Sequence, residues 1–154
     1  MAGNEMFNPA MFLDATTDSQ MDTKLIPCPE GEYLGIIDDV KIRTWTKKDN
    51  PSEGGVVLDV FWNIEDEGVK QTLGRTKVTV KQGVMLDLTD QGQLDCAKGR
   101  NVQLGRLREA TGLNKPGEPF AMNMLPGKMA KVLIKHRTDG EDIYADVKGV
   151  APLQ

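Results

Sequence analysis

Very little in this chain is equipped for covalent chemistry. It has one histidine, His136, and two cysteines, Cys28 and Cys96, which stand far apart and form no CxxC pair. A zinc-type site needs several converging His or Cys ligands, and the sequence offers no such cluster. The only serines, Ser19 and Ser52, lie in stretches with no nucleophile context. Neither the GxxxxGK phosphate loop nor the GxGxxG dinucleotide fingerprint occurs. Asp38 and Asp39 are adjacent in a strand-like run, so regular strand geometry would send them to opposite faces. No catalysis, metal or cofactor is therefore expected. His136 falls on the core parity of its segment and reads as a structural residue. The cysteines read as free packing thiols in a reducing cytoplasm.

Other shortages narrow the class further. Aromatic residues make up 5% of the chain, and no apolar run approaches the length of a membrane span. The first residues, MAGNEMFNPAMFLD, lack the basic and long apolar regions of a secretory signal. A cytoplasmic domain without a membrane partner is expected. The charge is −4 overall but unevenly spread. Residues 1–32 carry one base, Lys24, against six acids: Glu5, Asp14, Asp18, Asp22, Glu30 and Glu32. The remainder carries eighteen bases against seventeen acids, so the face on which the cations lie matters more than the total.

What is present is alternation. Gly31 to Trp45, GEYLGIIDDVKIRTW, has apolar residues at Leu34, Ile36, Val40 and Ile42, with Asp39, Lys41, Arg43 and Trp45 between. Period two marks a strand with one buried and one wet face. The run is long for one strand, and with Gly35 inside it could coil to serve two sheets. After a turn-rich loop, TKKDNPSEGG, Val56–Ile64 reads as a second strand with Leu58, Val60, Trp62 and Ile64 on its core face and Phe61 on the other. EDEG reads as a turn. Residues 69–82 read as a third strand region, clearest from Arg75 to Gln82.

Helical spacing then appears, with Asn101 as cap, Val102, Leu104 and Leu107 on one face, and Gly112 as the stop. A Pro- and Gly-rich loop, Leu113–Gly127, leads to a hairpin of Lys128–Arg137 and Ile143–Val150 that turns at Asp139-Gly140. Residues 1–30 read as an acidic arm before a domain spanning 31–154. In the arm, Asn8-Pro9 could open one helical turn carrying Met11, Phe12 and Leu13. That turn is either part of a frayed tail or a docking element for its own domain or a partner. The order β-β-β-α-β-β fits a mainly β, five-stranded Greek-key barrel of the oligonucleotide-binding (OB) type, with a helical insertion between strands 3 and 4. The competing architecture is an open antiparallel sheet with one helix on it.

The outward faces of the strands carry the functional signal. Lys41, Arg43 and Trp45 share one face of the first strand. Arg75, Lys77 and Lys81 share one face of the third, and Lys131, Lys135 and Arg137 one face of the fourth. Single-stranded nucleic acid is held by such mixtures, in which cations follow phosphates and aromatic rings stack on bases. Phe61 is the second stacking candidate, while Tyr33 and Tyr144 are ambiguous. The plain alternative is that edge-strand lysines keep a β protein soluble. Basic faces on three strands of a barrel also need not form one patch.

The segments FNPAMFLDATT, IPCPEGEYLGIIDDVKIR, VTVKQGVMLDL, NVQLGRLREATGLN and GEDIYADVKGVAPL together resemble a group of small tailed-bacteriophage proteins. These are encoded in replication and recombination regions and are taken as single-stranded DNA-binding proteins with an OB-type barrel. The resemblance spans nearly the whole chain and rests on the style of its segments. It implies a non-catalytic, sequence-tolerant DNA binder in the host cytoplasm; the sequence leaves the oligomeric state open, a homo-oligomer included. Many single-stranded DNA-binding proteins recruit partners through an acidic C-terminal tail. Here the C-terminus is APLQ and the acidic segment is N-terminal, so the arm is the candidate contact for replication or recombination proteins. The alternative is a phage protein-interaction or assembly module without nucleic acid. That reading calls for dispersed lysines and an apolar patch, for instance around Met122, Met124 and Leu125.

Overall fold

A computed structural model describes residues 7–153. Residues 1–6 of the expected arm lie outside the described residues. The architecture is mainly β: one five-stranded antiparallel sheet with a few short helices. In chain order the elements are α1 (Pro9–Asp14), β1 (Gly31–Thr46), β2 (Gly54–Ile64), α2 (Glu67–Leu73), β3 (Thr79–Leu86), α3 (Val102–Thr111), a 3-10 turn (Met122–Met124), β4 (Met129–Asp139) and β5 (Asp142–Ala151). The strand order is β3-β2-β1-β4-β5. No ladder joins β3 to β5, so the sheet is open.

β1 is the shared strand. Its first part, Gly31–Ile36, pairs with β4, and nearly its whole length from Gly35 onward pairs with β2. Between these uses lies a β-bulge. Ile37 opposes Trp62 and Asp39 opposes Phe61, which leaves Asp38 as the extra residue. The bulge reverses the side-chain parity. Before it the odd positions Tyr33, Gly35 and Ile37 face the core; after it Val40 does. The simple alternation expected from sequence, with Leu34 and Ile36 inside, is therefore wrong for the first half of β1. Leu34 is 39% exposed, whereas Ile37 is buried. The physical reason is the Asp38-Asp39 pair. A regular strand would drive one carboxylate inward, and the extra residue lets both lie exposed.

The third strand begins four residues later than expected, at Thr79 rather than Arg75. Asp66 caps a helix in the intervening stretch by accepting a hydrogen bond from the Val69 amide at 2.9 Å. Gly74, at φ 64°, stops that helix in the left-handed conformation. Arg75 and Lys77 thus lie in the connection between α2 and β3. α3 follows expectation in extent, with Leu104, Leu107 and Ala110 buried, although Val102 is exposed. Asn101 occupies the cap position but makes no capping bond. Its side chain instead bonds the amide of Asp87 and the carbonyls of Asp87 and Asp95, pinning the long β3–α3 loop. The β4–β5 hairpin turns one residue later than expected, at Gly140-Glu141 between the paired Asp139 and Asp142, with Gly140 at φ 64°.

The core is built from alternate residues of β2 (Leu58, Val60, Trp62 and Ile64) packed against Ile37, Val80, Val84, Ala130, Val132, Ile134, Leu125 and the apolar face of α3. Trp62 is fully buried, and its indole N–H donates to Gln82 Oε1 at 2.8 Å, so burial leaves no polar atom unpaired there. The chain joins the domain before Gly31. Cys28 is buried in the same core, and burial, with a smaller push from the Asp66 carboxylate, raises its thiol pKa to about 11. Cys96, by contrast, is exposed and packs nothing. His136 has core parity yet is exposed, because it lies beyond the covered part of the sheet. Its Nε2 is 2.8 Å from the Cys28 carbonyl, a contact in which the ring N–H donates.

Gly35 sits beneath the Trp62 ring, where an added Cβ would fall 2.5 Å from Val132 Cγ2 and 2.9 Å from Trp62 Cε3. Gly35→Ala should overpack the core and destabilise the fold by about 1–3 kcal/mol, read as a lower urea midpoint. A midpoint equal to that of the parent would show that the Trp62 packing is looser than described.

Candidate functional site

Cross-strand register determines which side chains share a face. In an antiparallel sheet, directly opposed residues project to the same side. On the outward side of β1, β2 and β3 this gives three successive rows: Asp39, Phe61 and Lys81; then Lys41, Asp59 and Gly83; then Arg43, Val57 and Met85. Trp45, opposite Gly55, ends the series. Five of the residues singled out from sequence, Lys41, Arg43, Trp45, Phe61 and Lys81, therefore share one continuous face.

The partly exposed Phe61 ring lies at the centre of the cations. Lys41 Nζ stands 5.6 Å from its centroid, and Lys81 is its direct cross-strand neighbour. Neither lysine is in an ion pair among the described residues. Arg43 is different. Its Nε donates to Asp59 Oδ2 at 2.9 Å and its Nη2 to Asp59 Oδ1 at 3.2 Å, a two-pronged clamp. Asp59 is 5% exposed on the outward face of the sheet. The hydrogen bonds from Arg43 hold its carboxyl below the usual carboxylate range against the opposing effect of burial; the charges of Arg43 and Lys81 add to the lowering. The same pairing raises the Arg43 pKa. Trp45 is half-buried beside Gly55, where an added Cβ would fall 2.9 Å from Nε1. Among the described residues, Trp45 Nε1 is the one buried side-chain polar atom left without a partner.

The face continues across the open edge of the sheet. A cleft of about 200 Å³ between β3 and β5 is lined by Thr79, Lys81, Ile143 and Tyr144, by Arg75 after α2, and by Leu25–Cys28 of the incoming chain. The Arg137 guanidinium stacks 5.0 Å from the Tyr144 ring centroid, and its Nε donates to Asp146 at 2.8 Å. Tyr144, ambiguous from sequence, thus becomes a second aromatic platform. Its position depends on how the hairpin folds back toward β3, which strand parity does not encode.

The other candidates fall elsewhere. Lys77 reaches back to Asp38 at 3.2 Å. Lys131 opposes Leu34 on the first part of β1, seven residues and roughly 23 Å along the strand from Lys41. Lys135 opposes Asp146 on β5 and lies near Glu30. The nine cations and aromatics expected around one ligand, together with Arg75, therefore divide into two groups. A larger open hollow of about 650 Å³ at the end of β2 and β3 is lined by Asp87, Asp90 and Asp95, with Arg100 its one cation. Its charge repels phosphate. The apolar patch imagined around Met122, Met124 and Leu125 is not a free surface, because Leu125 is fully buried and Met122 packs on the core. Among the described residues no group of three or more His, Cys, Asp or Glu could hold a metal ion, and no helix is long and apolar enough to cross a membrane.

No family model and no curated protein matches this chain.

Because the Asp59 carboxyl titrates below its unfolded-chain value, the stabilisation it provides is complete above about pH 4 and is lost as pH falls through the folded value. The stability gap between the parent and Asp59→Asn should be widest near neutrality and close in acid, measured by urea unfolding across pH. A gap independent of pH would contradict the Arg43–Asp59 clamp.

Proposed function

We propose that the protein is a non-catalytic, sequence-tolerant binder of single-stranded DNA. The observation that carries this reading is the Lys41–Phe61–Lys81 cluster on one outward face, extended across the β3–β5 cleft to Arg75, Tyr144 and Arg137. Stacking of bases on Phe61 and Tyr144, with phosphates between the flanking cations, is the arrangement that suits a flexible strand. Trp45, at the end of the same outward series on β1, would extend the track through its ring. Arg43 would act through its position over Asp59 more than as a phosphate clamp, since its charge is already met. Lys131 and Lys135 would stand outside the track.

The architecture supports this reading in a coarser way. We read the open sheet β3-β2-β1-β4-β5, with α3 between β3 and β4, as a five-stranded OB-type Greek-key barrel opened at its β3–β5 seam. In this proposal the Leu25–Cys28 strap stands at the seam and takes the place of hydrogen-bonded closure. Replication or recombination of phage DNA is the setting that the resemblance of the segments suggests. The second reading, a protein-interaction or assembly module, is favoured by one specific observation: the large apolar side chains of the arm are exposed.

Fluorescence anisotropy with a labelled single strand tests the proposal. Phe61→Ala should weaken binding about tenfold, the value of one stacked base. Lys41→Ala and Lys81→Ala should each flatten the dependence of log K on log salt by about 0.7, whereas Lys131→Ala should leave it unchanged. No binding by the folded parent at low salt would overturn the reading and favour the interaction module.

A further inference from the structure

At the cleft between β3 and β5 the two edges of the open sheet line one hollow without a hydrogen-bond ladder between them. Its volume of about 200 Å³ is below that of a pocket for a drug-sized ligand and suits a single flat ring system. The floor is apolar, formed by Leu73, Val78, Val80, Ile143 and Ala145. The Leu25–Cys28 strap supplies one wall, and the chain just beyond it is tied down. The Tyr33 hydroxyl donates to the Pro29 carbonyl at 2.9 Å, the His136 ring N–H to the Cys28 carbonyl at 2.8 Å, and the His136 amide to the Glu30 carboxylate at 2.8 Å. The slot is therefore built before any ligand arrives.

Its charge is of one sign. No acid lines the cleft, whereas Arg75 and Lys81 do, both exposed. Neither cation is in an ion pair among the described residues. Two acids stand near. Asp22 shares a neighbouring hollow with Arg75 but is accompanied there by Lys24, and Asp66 acts on Cys28 from behind the floor. The Cys28 thiol itself adds no charge at neutral pH, since burial, with a smaller push from Asp66, raises its pKa to about 11. Lys81 belongs both to this cleft and to the row that holds Phe61, so the slot continues the outward face. A free phosphate would leave the apolar slot unused, and an uncharged apolar ligand would leave the cations unused. A base carried between two phosphates uses both.

We propose that the β3–β5 cleft takes one unpaired base of a single strand, with the phosphates on either side of it held by Arg75 and Lys81. The inference rests on the single-strand reading and adds the element that tells a single strand from a duplex. Phe61 is an open platform, whereas the cleft admits a base only when it stands clear of a partner. In a duplex that base must first be unpaired and swung out, at a cost of a few kcal/mol. The walls are mostly apolar, and the Thr79 hydroxyl beside them already donates to Asn63 Oδ1 at 3.1 Å. The cleft therefore selects for pairing state and tolerates any sequence.

Isotope-filtered NOE spectroscopy on the full labelled chain, saturated with a short unlabelled oligothymidylate, tests this. Thymine ring and methyl protons should show contacts to the methyl groups of Val80, Ile143 and Ala145. These contacts are read on the parent and need no variant. Ala145→Leu, which fills the slot with an aliphatic group unable to stack, should weaken single-strand binding about tenfold and leave duplex binding unchanged in anisotropy titrations. Circular dichroism checks that this variant keeps the parent fold. Contacts to Phe61 without any to the cleft methyls would overturn the inference and leave the single-strand reading standing, as would parent-like single-strand affinity in folded Ala145→Leu. No binding of the strand by the folded parent would overturn both.

Discussion

One extra residue in β1 governs the layout of the molecule. Asp38 cannot enter the core as a carboxylate, and neither can Asp39, so the strand bulges and both remain exposed. The bulge changes which residues face inward. Tyr33, Gly35 and Ile37 close the core under β4, while Lys41, Arg43 and Trp45 turn outward over β2. Without it, a strand sixteen residues long would carry a single parity and place Leu34 and Ile36 in the core in place of Ile37. The pairing of β1 with β4 on one side of the bulge and with β2 along the other gives the domain two separate outward surfaces.

These two surfaces differ chemically. The β1–β2–β3 surface carries aromatic rings with cations beside them; of its acids, Asp59 is clamped by Arg43 and Asp38 paired by Lys77, while Asp39, opposite Phe61, has no ion pair among the described residues. This internal neutralisation explains how a chain of net charge −4 can still present a cationic track. The number of uncompensated cations on it is small, so binding through it would be moderate in strength and sensitive to salt. The β1–β4 surface is apolar with lysines around it, a composition closer to a protein contact than to a nucleic-acid groove.

Much of this was legible in the residues. The β2 alternation, the α3 stop at Gly112, the existence of the β4–β5 hairpin and the outward set Lys41, Arg43 and Trp45 all follow from local rules that the structure obeys. The failures have physical causes. Period-two patterning gives the wrong parity before Asp38, because a bulge depends on where two charges meet the core, which such patterning ignores. Residues 69–73 suit a strand as well as a helix by their apolar side chains, Val69 and Leu73; the Asp66 cap and the Gly74 stop decide for the helix α2. Sequence gives the face of a strand but not which part of β1 it pairs with, so it cannot separate Lys131 and Lys135 from Phe61. Tyr144 is ambiguous in sequence for the same reason, since its nearness to Lys81 arises from the fold of the whole sheet.

The most direct test of the single-strand track is amide chemical-shift mapping of the isotope-labelled protein titrated with a short unlabelled oligonucleotide. Binding as proposed perturbs Lys41–Trp45, Phe61, Lys81 and Tyr144 and leaves Leu34, Met129 and Lys131 in place. Perturbations confined to the β1–β4 surface, or none at saturating oligonucleotide, would contradict it.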